Sequence, residues 1–364
     1  LRDLFSSLQG IMSDLNFLML LVCLAGVMTL TIIFCLTPLA KRIGLVDKPG
    51  GRKKHIGEIP LIGGISIFLV LGFFAVFTNY VNPDWKLVLG AASILIIVGL
   101  IDDLWDIRAF YKLGAQIMTA TLIMLGTGDY IQSIAYLPGN TPLEISGLGY
   151  VITLIAVVGL INAFNMMDGI DGLAGMQAVL TIIFTLVSLQ ILTDSFSPSI
   201  FVFLLLGALL GFLVVNLNFL PGIKVFLGDT GSMLIGFCIA WMLISHTQNH
   251  SGEGLPPSMA LWLVAIPVTD TLALALRRIL LNRSPFRPDR KHLHHICLRL
   301  GLSPRQSLAI ICTLSFLNFL VGMISFALFG EIVSIILFFV IIALYYTAIQ
   351  RVWRISSFIR RLIY

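Results

Sequence analysis

The sequence predicts an all-α polytopic integral membrane protein of about eleven transmembrane helices, with its N-terminus outside and its C-terminus in the cytoplasm. Three observations carry that prediction. Of the 364 residues, 58% are hydrophobic and only 11% are charged, where a soluble domain carries about 25% charged residues. The apolar residues fall in long runs, not in the alternation of barrel strands. The basic residues, finally, collect on one side of those runs. Together these features exclude a soluble enzyme, a disordered chain and a nucleic-acid-binding domain.

The runs lie roughly at 15–40, 61–80, 87–101, 113–126, 147–165, 173–192, 200–219, 233–248, 259–276, 307–328 and 332–350, against about 17–25 residues needed to cross a bilayer. The first is too long for a signal-peptide core and no small-residue cleavage site follows it, so it reads as a retained helix. The third and fourth are short, which predicts that their helices extend into flanking polar residues. Alternate connections hold Lys41 to Lys54, then Arg108 and Lys112, then Lys224, then the segment from Arg277 to Arg305, then the C-terminal arginines. That places 21 of the 23 basic residues on one side, leaving Arg2 and Lys86 on the other. The positive-inside rule makes the basic side cytoplasmic. None of the five cysteines forms a C-x-x-C pair or lies in an outer loop, so neither a disulfide nor a cysteine metal site is expected. With short outer loops and no internal repeat, residues 1–364 read as one membrane-embedded domain.

The carboxylates point to chemistry. Ten of the 18 lie on or near the cytoplasmic face, several where a helix meets the interface. Asp102 and Asp103 close the third run in GLIDDLWD, Asp168 and Asp171 follow the fifth in NAFNMMDGIDG, and Asp229 precedes the eighth in VFLGDTGS. Ionisable groups at membrane depth are costly and usually face a polar cavity. Asp229 also reads as a helix N-cap, and Asp168 as a turn residue before Gly169. The adjacent pair Asp102–Asp103 fits a structural role less well, because like charges repel and a helix C-terminus disfavours negative charge. A cation or a shared proton would relieve both. Glycines beside the acids allow backbone N–H groups to approach a ligand, and carboxylates for a divalent cation beside N–H groups for phosphate describe a metal–diphosphate site. No P-loop motif is present. The longest cytoplasmic loop sets His292, His294 and His295 among Arg287, Arg290 and Lys291, a set suited to an anionic substrate such as a nucleotide diphosphate. Zinc binding and lipid-headgroup contact are the other readings of that loop. Lys54 and His55 stand in the first cytoplasmic loop, whose charge the positive-inside rule alone also explains.

Five segments in order, DKPGGRKKHIGEIPLIGG, DDLWD, NAFNMMDGIDGLAG, VFLGDTGS and SPFRPDRKHLHH, resemble the polyprenyl-phosphate N-acetylhexosamine-1-phosphate transferases over nearly the whole chain. The His292-Leu293-His294-His295 spelling and SPFRPDR look like the WecA/TagO branch, which transfers GlcNAc-1-phosphate. The lipid I branch usually carries three consecutive histidines here. The resemblance implies attack by undecaprenyl phosphate on the sugar-side phosphorus of UDP-GlcNAc, with UMP leaving and Mg²⁺, or Mn²⁺ in its place, on the diphosphate. It implies Asp229 and Asn165 as metal ligands, and Asp102 and Asp103 acting on the lipid phosphate. Asp168 and Asp171 would bind the nucleotide, and Phe226 would stack on uracil. Arg290, His292, His294 and His295 would hold the diphosphate, with Lys54, His55 and Asn218 lining the same cavity. Asp270 reads as a supporting acid. The resemblance further implies a homodimer in the bacterial inner membrane, an active site on the cytoplasmic face, and membrane lipids around it. The product would feed a surface polymer such as O-antigen, enterobacterial common antigen or teichoic acid. A lipid I-type donor is the alternative within the family. A cation-coupled transporter is the alternative outside it, disfavoured because the acids cluster at one interface and no inverted repeat is visible.

Overall fold

A computed structural model describes residues 14–48, 57–77, 83–137, 141–193, 198–248, 254–282 and 291–363, with side chains of Asp14, Pro83 and 352–363 outside that description. The chain is an all-α polytopic membrane protein. In order it forms α1 (Asp14–Ile43), β1 (Val46–Asp47), β2 (Ile59–Pro60), α2 (Gly63–Phe77), α3 (Pro83–Trp105), α4 (Ala109–Thr127), β3 (Ser133–Leu137), β4 (Thr141–Glu144), α5 (Leu148–Met167), α6 (Leu173–Leu192), α7 (Ile200–Asn216), α8 (Gly228–Thr247), α9 (Pro257–Leu263), α10 (Ala265–Leu280), α11 (Leu293–Arg299) and α12 (Pro304–Ile363). Among the described residues six helices are long and apolar enough to cross a membrane, or seven if α9 and α10 together make one bent span. Helices α2 and α7 are shorter apolar helices. As the sequence predicts, α3 and α4 run past their apolar centres into the polar residues Asp84, Asp102, Asp103 and Lys112.

The chain divides into two compact units, Leu1–Tyr130 with Tyr150–Asn165 and Phe196–Met242, and Ile131–Gly149 with Met166–Ser195 and Leu243–Tyr364. In the first, α1 packs along α7 by small residues. Gly207 and Gly211, one helical turn apart, receive the backbone of Val22 and Gly26, and any side chain at either glycine would strike it. Close backbone approach through such G-x-x-x-G spacing is how helices associate where the lipid offers no hydrophobic drive. The antiparallel β1–β2 pair leads into α2. It is tied to the segment before α8, where the Phe226 N–H donates to Pro60 O at 2.9 Å and the Gly63 N–H donates to Phe226 O at 3.0 Å.

In the second unit the apolar run at 259–276 is not one straight helix. Helices α9 and α10 meet at 80°. Pro267 explains the break: it has no N–H for the carbonyl of Leu263, and its ring clashes there. Val264 leaves the helical region at φ −118° and ψ 29°. A second break falls at Gly330 (φ 76°, ψ −176°), inside α12 between the last two apolar runs. The β3–β4 hairpin was not foreseen in the sequence. It is antiparallel and irregular between Ser133 and Tyr136. Buried Glu331, just past the Gly330 break, accepts the Tyr136 N–H at 2.9 Å and the Ser258 N–H at 3.1 Å, joining hairpin, α9 and α12. Under the histidine helix α11, Met167, Leu173, Ile266 and Ile311 form a buried apolar cluster that takes up Leu293.

Candidate functional site

The first unit gathers an acid cluster from the ends of α3, α4, α5 and α8. Asp102 and Asp103 are adjacent on α3, so their side chains diverge by about 100° around the helix. Asp103 turns to the start of α8. Its Oδ1 accepts the Asp229 N–H at 2.8 Å, and its Oδ2 accepts the Thr230 N–H at 3.2 Å and the Thr230 hydroxyl at 2.6 Å. These amides belong to the first turn of α8, which has no intrahelical acceptors, and negative charge is favourable there. Two glycines make the approach possible. A Cβ on Gly228 (φ +74°) would sit 2.6 Å from Asp103 Oδ2, and one on Gly99 would sit 2.5 Å from Thr230 Cα. Gly228 thus makes room for a carboxylate of the chain itself, where the sequence reading had assigned such glycines to ligand approach.

Asp102 turns the other way. Its Oδ1 accepts the Ile107 N–H at 3.0 Å, closing the turn into α4. Its Oδ2 accepts from Lys112 Nζ at 2.8 Å, and the same ammonium donates to Asp229 Oδ2 at 2.8 Å. Lys112 lies in the first turn of α4, where a helix dipole disfavours positive charge, so the two carboxylates must compensate. The cation that relieves Asp102 is therefore a lysine of the chain, which the sequence alone shows only as a positive-inside charge, while Asp103 is met by the first turn of α8. The three side chains differ in access: Asp229 is 35% exposed, Lys112 22% and Asp102 6%. Asn165, near the end of α5, donates through Nδ2 to Ser232 Oγ at 2.9 Å, and its side chain also engages the Asp229 carboxylate.

Phe226 is half-buried beside this cluster in sequence, held through its backbone to Pro60, Leu61 and Gly63. Lys224 Nζ lies 5.3 Å from its ring centroid. Asn218 is an exposed turn residue after α7 in a left-handed conformation (φ 60°), its N–H donating to Val215 O. The buried amide nearby is Asn216, whose Nδ2 donates to Val225 O at 2.9 Å. Lys54, His55 and Arg290 lie outside the described residues.

The second unit gathers the histidines. His292 precedes α11, and its Nδ1 lies 2.9 Å from Asp270 Oδ2. His294 is buried in the first turn of α11, its ring parallel to that of His292 at 5.9 Å and tilted against that of His295 at 4.1 Å. Burial, with the neighbouring His295 and His292 adding repulsion, pushes the His294 pKa down to about 3, so the ring is neutral at physiological pH. Its Nε2 is buried with no hydrogen-bond partner. Gly169, between Asp168 and Asp171, packs directly on that ring, and a side chain at 169 would collide with it. Asp168 is exposed and Asp171 half-buried in the turn between α5 and α6. Gly172 caps α6 in a left-handed conformation (φ 79°) without a side-chain cap.

The acid cluster suits a hard divalent cation. Two carboxylates, Asp102 and Asp229, converge on the Lys112 ammonium, and carboxylate oxygens are the hard ligand atoms such a cation prefers. Among the described residues no three His, Cys, Asp or Glu side chains are grouped to hold a metal ion.

A polytopic membrane protein with carboxylates and a lysine gathered at helix ends in one unit, and imidazoles gathered in the other, has the makings of a membrane enzyme. Comparison with known proteins assigns it more closely. Residues 85–247 match the glycosyl transferase family 4 model. The chain is 37% identical over 337 residues to a protein of Yersinia pestis named undecaprenyl-phosphate alpha-N-acetylglucosaminyl 1-phosphate transferase, covering 92% of each. Proteins of the same name from Escherichia coli K12 and Haemophilus influenzae are 36% and 38% identical, covering 92% and 89% of this chain and 91% and 92% of their own. The chain belongs to this family of glycosyl-1-phosphate transferases.

Proposed function

We propose that this protein transfers GlcNAc-1-phosphate from UDP-GlcNAc to undecaprenyl phosphate, giving undecaprenyl-diphospho-GlcNAc and UMP. The observation that carries the reading is identity of 36–38% across about nine-tenths of the chain to relatives of that name. In the reaction an oxygen of the lipid phosphate forms a bond to the sugar-side phosphorus. The bond from that phosphorus to the UMP oxygen breaks, and UMP departs with the electron pair. The second pKa of a phosphate is about 6, so the nucleophile is mostly ionised at pH 7. Positioning and charge neutralisation then matter more than proton abstraction.

Roles follow from access. Asp229, far more exposed than Asp102, holds Mg²⁺ with Asn165 beside it. Mg²⁺ bound there would offset the charge of the diphosphate and of the leaving UMP. Lys112 balances Asp102 and Asp229 and orients the lipid phosphate, with Asp102 fixing Lys112 in turn. Asp103 is a positioning residue, because all three of its described bonds go to the first turn that carries Asp229. His292, His294 and His295 bind the anionic donor together with Arg290, Lys54 and His55. Phe226 stacks on the uracil, and Asp168, Asp171 and Asn218 shape the nucleotide site. The enzyme works as a homodimer in the bacterial inner membrane with its chemistry on the cytoplasmic face, and its product starts a cell-surface polysaccharide. Eleven crossings, N-terminus outside, are supported by the basic-residue asymmetry. They are tested by a cytoplasm-dependent reporter fused at Tyr364 and by impermeant thiol labelling of a cysteine placed in 249–257, which should react from outside.

The deciding assay incubates purified protein with undecaprenyl phosphate, Mg²⁺ and a panel of UDP-sugars. Lipid-linked GlcNAc should form, and UDP-MurNAc-pentapeptide should be inert. Efficient use of the pentapeptide donor would move the chain to the lipid I branch.

A further inference from the structure

Asp270 lies in the middle of α10 and is 1% exposed. A carboxylate so placed is expensive unless its charge is met by donors, and here three donors from two elements meet it. His292 Nδ1 lies 2.9 Å from Oδ2, while Oδ1 accepts the Leu293 N–H at 3.2 Å and the Tyr345 hydroxyl at 2.7 Å. Two of these donors open α11 and the third comes from α12. A carboxylate only accepts, so Nδ1 of His292 carries the proton, and Nε2 is the ring nitrogen left for a ligand.

We propose that Asp270 is a positioning residue for donor binding. By gripping His292 Nδ1 it fixes the tautomer and plane of that imidazole and presents Nε2, the acceptor of that tautomer, to a hydroxyl or N–H of the nucleotide sugar. Tyr345 extends the support to the C-terminal helix. The proposal rests on the reading of the protein as a nucleotide-sugar transferase. It also gives the acid a role separate from the acid cluster: Asp270 governs affinity for the donor and leaves the metal requirement alone.

The test is a kinetic cycle on the full-length, detergent-purified enzyme, using wild type, Asp270→Asn, Tyr345→Phe, His292→Ala and the Asp270→Asn/His292→Ala double variant. A hydrogen bond to a charged partner corresponds to roughly a tenfold to hundredfold effect. Asp270→Asn should raise KM for UDP-GlcNAc about tenfold or more, with kcat within about threefold and the Mg²⁺ dependence unchanged. Tyr345→Phe, which removes one hydroxyl and should fold even if Asp270→Asn does not, should raise KM by about threefold. In the His292→Ala background Asp270→Asn should add less than about twofold. Independent effects that multiply in the double variant, or a fall in kcat at constant KM, would overturn the proposal. The tautomer is read without any donor from the His292 Nδ1–H resonance by NMR, which should be present in wild type and lost in Asp270→Asn. An unchanged resonance defeats the positioning role, whereas failure of wild type to use UDP-GlcNAc defeats only the donor assignment.

Discussion

In the first unit, Asp102, Asp103, Asp229 and Lys112 share hydrogen bonds at helix ends. In the second, His292, His294 and His295 stack near one carboxylate, Asp270. The acid cluster is graded in access, from the 6% exposed Asp102 to the 35% exposed Asp229, and its charge is offset by a lysine that the two carboxylates share. The histidine cluster is built like a core: His292, His294 and Asp270 are all buried, and the neutrality of His294 is enforced by desolvation. The difference teaches which groups exchange partners in the reaction. Charged groups with partial access can trade an internal cation for a metal or a phosphate. Buried groups that hold one another can position a substrate without changing partners.

The largest expected effect is at Lys112. Lys112→Met leaves Asp102 and Asp229 facing each other without a cation, and kcat/KM should fall about 10²–10³-fold, the scale seen when one preorganised electrostatic group is removed. Lys112→Arg should restore part of it. Near-normal activity of Lys112→Met would show that the ammonium is dispensable and break the contrast between the clusters.

Next is Asp103→Asn, which offers an amide N–H toward one of the amides that α8 needs capped. The melting temperature in detergent should drop, since capping is worth about 1 kcal/mol and a buried unsatisfied donor more. Activity should fall about tenfold to a hundredfold with it. Unchanged melting would contradict the positioning role.

The histidine cluster gives a smaller, pH-dependent effect. The pKa of His294 is depressed from 6.5 to about 3 on folding. Between those values the unfolded chain binds the proton and the folded one does not. The contribution of this group to stability is therefore full above about pH 6.5 and is lost progressively as pH falls toward 3. Melting temperature should decline from pH 7 to pH 5 in wild type and less steeply in His294→Gln. An equal slope in both would place the titration elsewhere. Smallest is Phe226→Leu, which should raise the KM for the donor by about threefold to tenfold if the ring stacks on the base, with kcat preserved.

Much of this was legible in the sequence because hydrophobic runs and charge sorting are one-dimensional signals. Each of the eleven apolar runs appears as a helix or as part of a broken one, and Asp102, Asp103, Asp229 and Asn165 come together as the motifs implied. What escaped depends on three-dimensional pairing. Lys112 is one basic residue among many until it is seen between two carboxylates. Gly169 and Gly228 read as ligand-approach glycines, yet each makes room for a side chain of the chain itself, His294 and Asp103. Tyr345 is 75 residues from Asp270 and belongs to no motif. Pro267 could have signalled the α9–α10 break, since a proline four residues past Leu263 forbids a straight helix there.

The central claim is that Asp229 faces the metal and Asp103 holds Asp229 in place. It is tested most directly by titrating Mg²⁺ into wild type, Asp229→Asn and Asp103→Asn at saturating substrates. Asp229→Asn should require at least about tenfold more Mg²⁺ for half-maximal rate and recover part of its activity at high Mg²⁺. Asp103→Asn should lower the plateau without moving the midpoint by more than about twofold. A large midpoint shift in Asp103→Asn with none in Asp229→Asn would contradict the account.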